Sequence, residues 1–184
     1  MSRHKSKVVW HYTYQHNIKK ILKSQVLLPP YLIPGYAATD AVVQAGLDPN
    51  SRENISDKKL LLFSEREDWE PASYRGYRTF FGVIDLLKLE DYAKHDIAVF
   101  RIGVENKHLK PYTALCRSVS MPKGMFNSLW KIAVELGSNP YQWWGTTKPI
   151  PMSEWVSVEV FANGVWNDCF ADEDAPAAGM EATL

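Results

Sequence analysis

The 184-residue chain is poor in cysteine: its two, Cys116 and Cys169, have no metal-ligand spacing. They read as free thiols of a reducing compartment, which sets aside a disulfide scaffold. Net charge is lacking too, because 21 basic residues balance 21 acidic ones. The chain as a whole therefore offers no field to attract nucleic acid or an anionic membrane, although a local basic patch stays open. No apolar run approaches the roughly 18 residues of a spanning helix, and none follows Ser2-Arg3-His4-Lys5 as in a signal peptide. The expectation is a cytoplasmic protein with no membrane partner. The commonest chemical signatures are missing as well: no P-loop, GxGxxG, HExxH, CxxC pair or serine-hydrolase elbow occurs. Of the five histidines only His11 and His16 are close, and a strand end running into a helix start does not align them on a metal.

What is present suits one α+β domain. Hydrophobic residues make 46% of the chain and charged residues 23%, ordinary for a globular protein able to bury a core. Aromatics reach 12%, and several stand beside polar residues outside helical patterns. Lys7 to Tyr12 reads as a strand of β-branched and aromatic residues. In Asn17 to Ser24, Ile18, Ile21 and Leu22 fall on one helical face, with Lys19, Lys20 and Lys23 on the wet side. Pro29, Pro30, Pro34 and Gly35 end that element, and Ala37 to Lys59 reads as a surface loop, faintly helical over Ala41–Ala45.

Leu60 to Ser64 is a short buried strand, Glu65 to Gly76 an aromatic-punctuated loop, and Thr79–Ile84 and Ile97–Val104 are further strands. Met125, Leu129, Ile132, Ala133 and Leu136 mark a helix over Lys123–Leu136 that Gly137 stops. Asn139 to Gly145 is an aromatic loop, and Glu154 to Phe161 the last strand. A period of two places Glu154, Val156, Val158 and Val160 on the core face, with Glu159 opposite. The domain spans residues 1–171, and 172–184 form an acidic, Ala/Pro-rich tail expected to be poorly ordered.

Chemistry gathers at two places. His11-Tyr12-Thr13 ends the first strand, and Ser153-Glu154-Trp155-Val156 opens the last. With Asn17-Ile18, Ile21-Leu22 and Ser24, the first motif resembles the opening of DarT-type DNA ADP-ribosyltransferases. More loosely, it resembles the corresponding strand of poly(ADP-ribose) polymerases and tRNA 2′-phosphotransferases. The second resembles the strand on which the polymerases present their catalytic glutamate. The resemblance covers about the first 30 residues and about 10 near the end.

It implies two small packed sheets flanked by helices, with NAD in the cleft between them. His11 would hold the adenine-side ribose, with Tyr12, Thr13 and Ser64 helping to bind the dinucleotide. Glu154 would be the catalytic carboxylate, and Tyr74, Tyr77, Phe80 or Phe81 would stack on nicotinamide. Arg66, Arg75 and Arg78 are candidates for pyrophosphate or substrate phosphate. The implied function is ADP-ribosyl transfer to a macromolecular acceptor, nucleic acid or protein, in a setting such as bacterial or phage conflict. Each residue also has a plain structural reading: His11 as a hydrogen-bonded core histidine, Glu154 as a solvated strand-start carboxylate, Ser64 as a strand terminator. A rival from another class is a non-catalytic binding protein that grips a partner or nucleotide with the loops at Trp69–Tyr77 and Tyr141–Trp144.

Overall fold

The computed structural model describes residues 6–29, 60–73, 77–78, 84–85, 89–92 and 97–171. The expected loop at Ala37–Lys59, Tyr74, Arg75, Phe80, Phe81 and the 172–184 tail lie outside those residues.

The first strand, β1, runs Val8–Tyr14 and passes without a break into helix α1, Gln15–Ser24. The helix forms because Ile18, Ile21 and Leu22 share one stripe that packs on the sheet, with Ile18 fully buried. It ends where Gln25 turns into the left-handed region at φ 54°. Strand β2 (Val26–Leu27) follows, then β3 (Leu61–Ser64), the ribbon strands β4 (Tyr77–Arg78) and β5 (Ile84–Asp85), and the short helix α2 (Leu89–Tyr92). The second half holds β6 (Val99–Glu105), β7 (Lys110–Pro111), α3 (Tyr112–Ser118) and α4 (Lys123–Glu135). It closes with β8 (Trp143–Thr146), β9 (Ile150–Pro151), β10 (Trp155–Ala162) and β11 (Val165–Asp168).

Seven strands form one antiparallel sheet in the order β11-β10-β6-β1-β3-β8-β7. The α+β class holds, but the two small packed sheets give way to this single large one, with two-stranded ribbons β2–β9 and β4–β5 beside it. The sheet is nevertheless divided. β1 pairs with β6 along its whole length, Val8↔Glu105 to Tyr14↔Val99, but meets β3 at one register position, Trp10↔Ser64. A seam therefore separates a four-stranded half from a three-stranded half.

One face of the sheet carries Val9, Phe63, Ile102, Val104 and Val158 under α1. Beyond the β3–β8 edge, α3 and α4 bury Tyr112, Leu115 and Ala133 against Trp143. Helix α4 ends as its sequence requires. Gly137 takes φ 85°, and the Gly137 and Ser138 amides donate to the Val134 and Ala133 carbonyls at 3.0 and 2.9 Å. Asn139–Gly145 departs from the expected loop: a 3-10 turn at Pro140–Gln142 leads directly into β8, whose Trp143 is buried. Gly145 is obligatory there, since a Cβ would stand 2.6 Å from the Leu61 backbone oxygen. Among the described residues no helix is long and apolar enough to cross a membrane.

Candidate functional site

Alternation along β1 divides the His11-Tyr12-Thr13 motif between two faces. His11 and Thr13 share the face of Val9 and α1; Tyr12 lies on the other, in a row with Trp10 and Tyr14. His11 stands where the β1–β3 ladder has ended. Its Nδ1 donates to the Leu62 carbonyl at 3.0 Å, so the imidazole bridges the seam in place of a backbone bond. The ring leans on Phe63, centroids 5.7 Å apart. Burial lowers the pKa of this histidine, outweighing the Leu62 carbonyl, which favours the charged form. A neutral imidazole with Nδ1–H engaged presents Nε2 as an acceptor, and Nε2 has no hydrogen-bond partner among the described residues. Thr13 is buried beside it.

Tyr12 and Ser64 have internal partners on the opposite face. Tyr12 donates to the Arg66 carbonyl at 2.7 Å, and Ser64 Oγ donates to Glu70 at 2.6 Å. Glu70 is itself buried and accepts a hydrogen bond from Ser138 Oγ, so it ties the strand end at Ser64 to the turn after α4. Arg66 forms an exposed pair with Asp68 at 2.9 Å, and this guanidinium holds the Asp68 carboxyl down at about 2. Both side chains thus fasten the 65–70 segment to the sheet. Tyr74 lies outside the described residues.

Glu154 differs most from its expected placement. It is exposed in a 3-10 turn, Met152–Glu154, ahead of β10. The cause is a bulge: Trp155 pairs with Val104 and Ser157 with Gly103, leaving Val156 as the extra residue, 54% exposed. That insertion breaks the two-residue period. Trp155, rather than Glu154, joins Val158 and Val160 against the core. In register His11 is level with Ile102 and Val158. Two strand spacings and about three residues of rise put Glu154 about 14 Å from His11. Its charge raises the pKa of Lys107 as a minor contribution beside Glu105, the ion-pair partner of that lysine.

Sequence reasoning did not find the second constellation. Arg101 and Glu159 sit side by side on β6 and β10, with Nε to Oε2 at 2.7 Å and both side chains largely buried. The Arg101 guanidinium lies 3.9 Å from the Trp10 ring centre and 4.4 Å from that of Trp166, and also donates to the Glu67 carbonyl. The available signal was one charge in each of two β-branched runs, Val99–Val104 and Val156–Val160. Two unlike charges in neighbouring apolar strands satisfy each other when paired across the ladder. Arg101 and Glu159 answer each other, while the indole N–H of Trp10 beside them is buried with no hydrogen-bond partner among the described residues; the ion pair acts as a clamp between the two strands.

Comparison with protein-family models, with curated proteins and with solved structures returns no match for this chain.

Proposed function

We propose that this chain is an NAD-dependent ADP-ribosyltransferase, with NAD lying along the seam between β1 and β3 and a macromolecule, nucleic acid or protein, as acceptor. The observation that carries the reading is the unpartnered Nε2 of His11 in that seam. A neutral imidazole fixed by its other nitrogen accepts a hydrogen bond from a sugar hydroxyl in one defined direction. Thr13, next on the same face, lines the dinucleotide on this reading.

Glu154 is the carboxylate for the chemical step. As the bond between the ribose and nicotinamide breaks, its electron pair leaves with nicotinamide and positive charge develops on the sugar. A carboxylate facing that charge stabilises it, and the acceptor then forms the new bond and releases a proton. The separation of His11 and Glu154 suits an extended dinucleotide rather than a single ring. Tyr12 and Ser64 contribute by fastening the 65–70 segment rather than by contact with NAD.

Two measurements test this: calorimetry with NAD, and nicotinamide release with and without cell lysate. His11→Ala is expected to weaken binding about tenfold, the value of one hydrogen bond of about 1.4 kcal/mol. Glu154→Gln is expected to keep binding and lower release about a hundredfold or more. NAD binding by wild type without release favours the non-catalytic binding protein, and absence of binding overturns both NAD readings.

A further inference from the structure

The zero net charge of the whole chain conceals a one-sided segment. From Asn106 to Val134 there are five cations, Lys107, Lys110, Arg117, Lys123 and Lys131, and no carboxylate. That segment contains α3 and all of α4 but its last residue, Glu135, and between those helices and the Pro140–Gln142 turn lies an open groove. Its larger part, about 470 Å³, is walled by Phe126, Trp130 and Tyr141; a second hollow of about 260 Å³ adjoins it at Thr113 and Phe126. Three of the cations line the two hollows: Lys131 the first, Arg117 and Lys123 the second. Arg117 and Lys123 form no ion pair among the described residues, and Lys131 reaches Glu135 only at 3.8 Å across an exposed helix face.

The aromatic wall is held ready rather than loosely exposed. Tyr141 is 78% exposed, yet its backbone amide is capped by Asn139 Oδ1 at 3.2 Å. Its ring meets Trp130 edge to face at 4.8 Å, and Trp130 in turn packs on Phe126 at 5.4 Å. Asn127 and Thr113 add amide and hydroxyl groups to the lining.

Flat π-faces, a flanking row of cations and the absence of any acid in the lining select a polyanion that carries stackable rings. An acidic peptide would use the cations and leave the rings without a planar partner. We propose that this groove binds single-stranded nucleic acid, with bases stacking on Trp130 and Tyr141 and phosphates held by Arg117, Lys123 and Lys131. The site does not rest on the NAD reading, and its test contains no NAD.

Fluorescence anisotropy on the full chain would use labelled oligo(dT) and oligo(U) of about a dozen nucleotides, a base-free oligomer of the same charge and a polyglutamate peptide. At least one base-bearing strand is expected to bind clearly more tightly than the base-free oligomer and the peptide, and the dT–U difference separates DNA from RNA. Tyr141→Ala and Trp130→Ala should each weaken binding about fivefold or more, the lower end of one stacked base. Tyr141 is exposed enough that its replacement does not threaten folding. Lys123→Gln with Lys131→Gln should flatten the salt slope by about 1.4, at about 0.7 per lost contact. No binding at low salt, equal binding of the base-free oligomer or the peptide, or an unchanged affinity in Tyr141→Ala would overturn the proposal.

Discussion

Replacing Glu159 by Gln tests the physical account of the sheet most directly. Arg101 is buried against Trp10 and Trp166, and Glu159 is the one carboxylate paired with it among the described residues, with Nη2 and Nε at 2.5 and 2.7 Å from the same oxygen. Removing the negative charge leaves a guanidinium in a poorly solvated place, with two rings, the Tyr12 hydroxyl, the Glu67 carbonyl and the neutral amide oxygen of the new side chain as its partners. Breaking a buried pair from one side typically costs 3–5 kcal/mol; because the side chains keep 9% and 15% exposure, the lower end, about 3 kcal/mol, is expected. For a chain of 184 residues that is roughly 6–12 °C in Tm, at about 2–4 °C per kcal/mol.

The double replacement Arg101→Met with Glu159→Leu removes both charges and keeps apolar bulk between the indoles. It should lose less stability than Glu159→Gln alone. Urea unfolding followed by tryptophan fluorescence gives both numbers. A Glu159→Gln protein within about 1 kcal/mol of wild type, or a double variant worse than the single, would refute the view that the pair is held by mutual neutralisation.

Further expectations follow from other parts of the fold. Gly145→Ala pushes a methyl group to 2.6 Å from a backbone oxygen of β3, so it should lower stability by about 2 kcal/mol or more in denaturant unfolding. Gly164→Ala, with open space around it but φ 82°, should lose only about 1 kcal/mol. Because the folded pKa of His11 lies below its ordinary value, the unfolded chain binds the extra proton more readily. Its contribution to stability is therefore full above about pH 6.5 and shrinks as pH falls below it, and His11→Gln should remove that part of the slope in a pH series of unfolding midpoints. Burial pushes the Cys116 thiol up and the Cys169 thiol to about 11, so both should react with a thiol reagent at pH 8 far more slowly than free cysteine. Rapid labelling of either would contradict the packing described.

Local pattern by itself determined the elements whose signal is carried by side chains next to one another. Helix α1, helix α4 with its Gly137 stop, and strands β1, β3 and β6 stand within a few residues of where periodicity puts them. In each, propensity and burial agree. Three matters depended on residues far apart in the chain. The bulge at Val156 exists because β10 pairs with β6, and it moves Glu154 from a core row to an exposed turn. The aromatic stretch after Asn139 becomes a strand because β3 offers it an edge, a preference that no window of that stretch contains. The unpartnered nitrogen of His11 exists because β1 and β3 part after a single pair. Sequence alone could name His11 and Glu154 as polar groups at the two ends of apolar strands. Only the tertiary structure decided which face each side chain takes and what it meets, because strand register and ladder ends are set by the partner strand.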